Sequence, residues 1–345
     1  MAGHDIIVVG ASAGGVEALQ TLVGGLPCDL RAALFVVVHI PAGSRSVLPT
    51  ILSRAGPLPA VHAVDGETIQ QKCVYIARPD HHLVLEHGYV RVSHGPTENR
   101  FRPAIDVLFR SAAYAYGLRV IGVILTVQLD DGTAGLWAVK DRGGLAIIQD
   151  PQDAVYSYMP LSAMQHVSVD YCLPLAEVAP MLEHLTGQAA ASEESYPVSK
   201  ALETETRIAL EDNPLEAGLM QLGELSAFTC PECHGVLLQP QDGGITRFRC
   251  HTGHAFSANF LLFLLNDLGE SIEQTLWSTI RGIQENMLLL QHLARHAEER
   301  NDHVTAAWIR QKLEEAVHRA ALVRQAMAGP EQLTAASHRT KSQRG

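Results

Sequence analysis

Gly10-Ala11-Ser12-Ala13-Gly14-Gly15 follows the apolar run Ile6 to Val9 and precedes Val16-Glu17-Ala18-Leu19-Gln20-Thr21-Leu22, whose pattern predicts a helix. Ser12 is therefore expected at a strand-to-helix turn. Gly10, Ala11, Ala13 and Gly14 are small enough for the backbone to turn tightly and leave the Ser12 hydroxyl exposed, the geometry a nucleophilic serine needs. The stretch points to acyl chemistry.

Outward from that turn, apolar strand candidates alternate with helical patterns from Asp5 to about Leu185. They are Ile6 to Val9, Leu34 to Val38, Val74 to Ile76, Leu83 to Leu85, Tyr89 to Val92, Val120 to Leu125 and Ala146 to Ile148. Unbroken runs such as Val120-Ile121-Gly122-Val123-Ile124-Leu125 fit strands covered on both faces, hence an α/β fold with a mainly parallel sheet between helix layers. Ligands of such a sheet sit beyond the carboxyl ends of its strands. Tyr75 to Ser93 reads instead as a meander or hairpin, because Arg78-Pro79-Asp80 and His87-Gly88 form turns. Gly10 and Gly14 lack the G-x-G-x-x-G spacing of a dinucleotide-binding loop.

The chain has 345 residues, 47% of them hydrophobic, enough to bury one full core and to divide into two domains. Its formal charge of −11 disfavours nucleic acid as a partner, and local basicity is confined to the tail from His338 to Arg344. Phe35 to Val38 and Phe260 to Leu265 are too short to span a bilayer, and no basic segment with a long apolar core opens the chain. The expectation is a cytoplasmic protein that is not membrane-inserted. Cys28, Cys73 and Cys172 stand alone and read as buried, structural residues.

A nucleophilic serine needs a base to accept its proton and an acid to orient that base. His39 directly follows the strand Leu34 to Val38, and Asp131 lies in the loop after Val120 to Leu125. Both are thereby expected at the same sheet edge as Ser12. Other residues have a plainer reading. Asp106 to Phe109, with Arg100 and Arg102, are expected to cap and pack a helix, and His81-His82 to lie in a surface loop.

The segment from Ile6 to about Leu185 resembles the catalytic domain of the CheB family of protein-glutamate methylesterases. The resemblance is carried by Gly10 to Gly15, Val38-His39-Ile40-Pro41-Ala42-Gly43, Val74-Tyr75-Ile76-Ala77, Asp80-His81-His82-Leu83, Arg102-Pro103-Ala104-Ile105-Asp106-Val107-Leu108-Phe109, Gly122 to Thr126, Leu129-Asp130-Asp131-Gly132-Thr133-Ala134-Gly135 and Met159-Pro160. It implies a three-layer α/β sandwich whose catalytic serine, histidine and aspartate fall on Ser12, His39 and Asp131. It further implies that the backbone N–H groups of His39 and Gln128 face the developing oxyanion, a contribution of roughly 3 kcal/mol per donor. The activity implied is hydrolysis of glutamate γ-methyl esters on a methylated chemoreceptor or related signalling protein, with glutamine deamidation as a further activity and a methyltransferase as companion. Catalysis in the family needs no cofactor.

Two positions depart from the family pattern. Val127 stands where a glycine is usual, so a left-handed backbone there would be strained and the Gln128 N–H displaced. Leu161 follows Met159-Pro160 where an arginine is common, removing any substrate contact that arginine would make. A catalytically weakened signalling adaptor that keeps the fold is therefore the alternative to an active esterase.

A second constellation lies beyond this segment. Cys230-Pro231-Glu232-Cys233 forms a knuckle whose thiolates can share one ion, and Cys250-His251-Thr252-Gly253-His254 supplies further ligands. Cys230, Cys233, Cys250 and His254 make a Cys3His set suited to structural zinc, with His251 competing for the fourth place. So short a module could hardly bury enough apolar surface without a metal. The expected division is a catalytic domain over 1–187, an acidic linker over 188–225 with one helix near Ala201 to Leu210, a zinc-binding module over 226–260, a helical hairpin over 261–330 and a flexible tail over 331–345. Some relatives of the family carry a similar extension, so the layout resembles a stand-alone methylesterase, with no room for a receiver domain ahead of residue 10.

Overall fold

The computed structural model of the chain describes residues 3–12, 14–40, 43, 46–126, 131–190, 196–210, 213–241, 244–300 and 302–327. The chain runs β1 (Ile6–Ala11), α1 (Gly15–Gly24), β2 (Ala33–Val38), α2 (Leu48–Ala55), β3 (Ala60–His62), β4 (Val74–Ile76), β5 (His82–Glu86), β6 (Tyr89–Ser93), α3 (Ile105–Tyr116) and β7 (Val120–Ile124). There follow α4 (Thr133–Asp141), β8 (Leu145–Gln149), α5 (Tyr158–His166), β9 (Tyr171–Leu173), α6 (Leu175–Thr186) and α7 (Lys200–Leu210). The remainder is β10 (Gly223–Thr229), β11 (Val236–Pro240), β12 (Arg247–Cys250), β13 (Ala255–Ser257), α8 (Ala258–Glu299) and α9 (His303–Met327).

Side chains alternate across a strand, so an apolar run with no polar break must have a core on each face. Along β1, Ile6 and Val8 enter one cluster with Leu108 and Phe109 of α3, Leu136 of α4 and Met159 of α5. Ile7, Val9 and Ala11 enter the other, with Leu19 of α1, Leu52 of α2 and Leu182 of α6. The sheet between these layers has seven strands in the order β3-β4-β2-β1-β7-β8-β9. All its pairings are parallel. The three-layer α/β expectation stands.

The chain winds outward from β1 through β2 in one direction and through β7 in the other, which makes the carboxyl end of β1 a topological switch point. The strand Val74–Ile76 joins this sheet beside β2, whereas β5 and β6 form a separate antiparallel pair. The hairpin expected from Tyr75 to Ser93 is thus confined to 82–93. Strands β3 and β9 have three residues each, too short for a pattern to announce them. Cys28 and Cys172 are exposed, contrary to the buried reading of the lone cysteines.

Beyond α6, the stretch expected as a solvated acidic linker carries α7, with Leu202, Glu205 and Ile208 buried. Glu205 is buried because three arginines meet it. Arg247 lies 2.6 Å away, Arg249 3.3 Å and Arg110 3.5 Å. Although burial opposes ionisation, these guanidinium groups hold the Glu205 carboxyl below its ordinary value. Strands β10 to β13 form an antiparallel four-stranded sheet.

Residues to 261 make one compact unit and those from 262 a second. In the second, Ala294 and Ala297 of α8 pack with Ala306 and Ile309 of α9, and Arg310 pairs with Glu298, as in a helical hairpin. Leu288, Leu289 and Leu293 remain exposed. No helix among the described residues is long and apolar enough to cross a membrane.

Candidate active site and Cys/His cluster

Ser12, His39 and Asp131 meet at the switch point. His39 Nδ1 lies 3.2 Å from Ser12 Oγ, and His39 Nε2 lies 2.8 Å from Asp131 Oδ2. A carboxylate only accepts, so Nε2 carries the proton and Nδ1 offers its lone pair to the Ser12 hydroxyl. The spacing is that of a nucleophile, a base and an orienting acid within mutual hydrogen-bond reach.

Local chemistry puts each group there. Ser12 follows the last residue of β1, and its N–H bonds the Thr126 carbonyl at 3.0 Å, just beyond β7. Its carbonyl accepts from the Gly15 N–H at 2.8 Å as α1 begins. Gly14 between them holds φ 72°, a left-handed turn that a residue with a Cβ would strain. His39 follows β2 directly, and its ring lies parallel to that of Phe101 with centroids 3.6 Å apart. Gly132, at φ 107°, turns the chain from Asp131 into α4, and a Cβ there would come within 2.3 Å of Met159 Cε.

Asp131 is fully buried at the amino end of α3. Its Oδ2 accepts from the Ile105 N–H at 2.7 Å, while the Asp106 N–H and Asn99 Nδ2 approach Oδ1 at 3.4 and 3.5 Å. These donors and the helix dipole compensate the buried charge. Asp106 accepts from the N–H groups of Gly132 and Gly135 at 3.0 and 2.6 Å. Burial, aided by the neighbouring Asp131 charge, pushes the Asp106 carboxyl well above its ordinary value. Asp106 therefore does more than cap its own helix: it holds the turn that carries Asp131.

Of the two expected oxyanion donors, the His39 N–H makes a long 3.4 Å bond to the Ala11 carbonyl. Gln128, with Val127, lies outside the described residues. Arg102 pairs with Asp80 at 2.8 Å and Arg100 is exposed. His82 is not in a surface loop. It is fully buried, with Nε2 2.9 Å from the Pro96 carbonyl and Nδ1 accepting from the Ala104 N–H at 3.2 Å. Burial lowers its pKa to about 4.

The second constellation also assembles. Ligand atoms of Cys230, Cys233, Cys250 and His254 all lie within 4.8 Å of one another. Cys233 Sγ and Cys250 Sγ are 3.5 Å apart, and His254 Nδ1 is 3.5 Å from Cys250 Sγ and 3.7 Å from Cys230 Sγ. Tetrahedral zinc with bonds near 2.3 Å separates its sulfurs by roughly 3.7 Å, so the donor set fits a metal ion. The N–H groups of Glu232 and Cys233 point at Cys230 Sγ from 3.4 and 3.5 Å, donors that a metal-bound thiolate there would accept from. His254 Nε2 lies 3.4 Å from Glu232, where a carboxylate could orient the ring if Nδ1 held an ion. His251 is exposed and outside this cluster.

Asn99 and Phe101 have no counterpart among the sequence candidates. They stand in an irregular loop just before the Arg102 motif, with no periodicity to mark them.

Residues 7–182 match the family model described as CheB methylesterase. A relative from Leptospira interrogans, described as a putative protein-glutamate methylesterase/protein-glutamine glutaminase, is 39% identical over 183 residues, covering 53% of this chain and 95% of that protein. A protein-glutamate methylesterase/protein-glutamine glutaminase from Anaeromyxobacter dehalogenans is 38% identical over 182 residues, 53% of each chain. The crystal structure of the Thermotoga maritima CheB methylesterase catalytic domain superposes with a TM-score of 0.51 at 34% identity, covering 54% of this chain and all of that one. The Cys/His cluster and the long helices lie beyond the residues matched by the family model.

Proposed function

The chain belongs to the CheB methylesterase family, and from that premise we propose that it is a protein-glutamate methylesterase using Ser12, His39 and Asp131. Its substrate is a glutamate γ-methyl ester on a chemoreceptor or related signalling protein, and its products are glutamate and methanol. The observation that carries this reading is the pair of contacts at His39, 3.2 Å to Ser12 and 2.8 Å to Asp131.

Ser12 Oγ attacks the ester carbonyl carbon as His39 Nδ1 takes the hydroxyl proton. The tetrahedral adduct then expels the methoxy group, which leaves as methanol with that proton. Water attacks the acyl-enzyme with its proton passing to Nδ1, and collapse returns Ser12 Oγ–H and a glutamate carboxylate. Asp131 stabilises the imidazolium and keeps Nδ1 directed at Ser12. The His39 and Gln128 N–H groups are the proposed oxyanion donors. The 3.4 Å bond from His39 N–H to Ala11 is weak enough for an anionic oxygen to compete for that donor. With a glutamine amide the same steps release ammonia, a second activity supported by the glutaminase named in both relatives.

The closed donor set of Cys230, Cys233, Cys250 and His254 supports a structural zinc ion, which would tie the loop between β10 and β11 to the turn between β12 and β13. A cytoplasmic site of action and a companion methyltransferase complete the reading. The test is methanol release from methylated receptor. Wild type is expected to be active and Ser12→Ala to lose at least about a thousandfold in kcat. Undiminished activity in Ser12→Ala would eliminate the mechanism, and failure of a fluorophosphonate probe to label Ser12 would favour the adaptor alternative.

A further inference from the structure

The loop 97–101 touches both the Cys/His module and the acid–base pair. On the module side, Thr97 Oγ1 donates to Glu232, 2.8 Å from Oε2, and Glu232 backs His254. The Ala255 N–H of β13 donates to the Thr97 carbonyl at 3.2 Å, and the Asn99 N–H donates to the Ala255 carbonyl at 2.7 Å. Buried Arg249 of β12 reaches Glu98 at 2.7 Å. On the catalytic side, the Phe101 ring stacks on His39, and Phe260, at the start of α8, meets Phe101 edge-on with centroids 6.2 Å apart.

Asn99 is the link between the two sides. The Ser257 N–H of β13 donates to Asn99 Oδ1 at 2.9 Å, which assigns the amide orientation and leaves Nδ2 facing Asp131 Oδ1 at 3.5 Å. Asn99 is 2% exposed and holds φ 49°, followed by Arg100 at φ 62°. Two successive non-glycine residues in the left-handed region cost roughly 1 kcal/mol or more each, so they persist where neighbouring contacts impose them. Here they are the central pair of a tight turn closed by the Glu98 and Phe101 backbone bonds at 3.2 and 2.8 Å, and β13 fixes the Asn99 amide on top of that turn.

We infer that Asn99 is a positioning residue for the His39–Asp131 pair, and that the Cys/His module holds it there, so that metal loading of the module sets the reactivity of Ser12. The inference deepens the esterase reading and rests on it for its kinetic consequence alone. The geometric consequence, that module and acid–base pair share one braced loop, stands on the hydrogen bonds above.

The test uses the full-length chain in three forms: zinc-loaded wild type, the same protein after chelation, and zinc-loaded Asn99→Ala. One readout is the low-field proton resonance of the His39 Nε2–H bond to Asp131, assigned by its loss in His39→Gln. The other is the pH profile of Ser12 acylation by p-nitrophenyl acetate. Chelation and Asn99→Ala are each expected to shift or broaden the resonance and to lower the maximal acylation rate roughly ten- to hundredfold. Chelating the Asn99→Ala protein is expected to add less than the product of the two losses, because both act through one contact. Thr97→Val, which leaves all four metal ligands in place, replaces chelation if the stripped protein unfolds, and is expected to move the resonance in the same direction. An unchanged resonance in Asn99→Ala, or losses that multiply as independent effects, would overturn the inference. Wild type lacking Ser12-dependent acylation would defeat the esterase reading by itself, and the resonance would then decide the positioning role.

Discussion

His39 meets Asp131 through Nε2 and turns Nδ1 toward Ser12, so the carboxylate selects the tautomer in which the nitrogen facing the hydroxyl is unprotonated. An amide in place of the carboxylate can donate to Nε2 and reverse that tautomer, leaving Nδ1–H aimed at Ser12 and unable to accept its proton. Asp131→Asn is accordingly expected to lower kcat for ester hydrolysis by on the order of ten-thousandfold with KM little changed. Steady-state kinetics on a p-nitrophenyl ester measure it, and a loss below about tenfold would show that the acid does not set the tautomer.

Glu205 and Arg249 lie in a cluster that joins α3, α7 and β12. Removing the Glu205 charge while keeping its shape takes from Arg247 its 2.6 Å carboxylate, and from Arg249 a contact at 3.3 Å that Glu98 at 2.7 Å only partly replaces. Glu205→Gln is expected to cost about 3 kcal/mol of stability, in the range for breaking one partner out of a buried ion pair. Urea denaturation measures the shift, and a change under about 0.5 kcal/mol would mark the cluster as a solvated one.

His82 predicts a pH dependence of folding. Its pKa is lowered from 6.5 to about 4 in the folded chain, so the unfolded chain binds the extra proton first as pH falls. Stability due to the neutral imidazole is complete above about pH 6.5 and declines progressively as pH falls towards about 4, by roughly 3 kcal/mol in total. His82→Gln removes this titration. Denaturation between pH 7 and pH 4 is expected to show a shallower decline for the variant, and equal slopes would assign the acid lability to other groups.

The Cys/His cluster predicts metal content. Purified protein is expected to carry one zinc ion per chain, and Cys250→Ser to lose it together with thermal stability of β10 to β13. Elemental analysis beside circular dichroism reads both. Metal-free wild type that unfolds at the same temperature as zinc-loaded protein would refute a structural ion.

The α/β architecture was legible because physical chemistry forces it locally. Ile6 to Val9 and Val120 to Leu125 contain no polar residue to face water, so both strands had to be interior and covered twice. Ser12 and His39 were legible as neighbours at one sheet edge because each directly follows such a strand, and the spacing marked Cys230, Cys233 and Cys250, while only the fold chose His254 over His251 for the cluster. Three-residue strands such as β3 and β9 were not, since too few side chains alternate to show a period.

Burial of polar side chains was equally hidden. Glu205 in an acidic stretch and His82 beside a turn read as solvated, because a polar side chain goes inside only where partners await it. Those partners are Arg110, Arg247 and Arg249 for the one, and the Pro96 carbonyl and Ala104 N–H for the other. The order of residues along the chain thus determined the strands, the turn that carries Ser12 and the cysteine knuckle, each a matter of near neighbours. Only tertiary structure decided which imidazole nitrogen faces Ser12, which acids are buried and how β13 reaches Asn99, because hydrogen bonds between distant segments depend on distances that sequence separation does not contain.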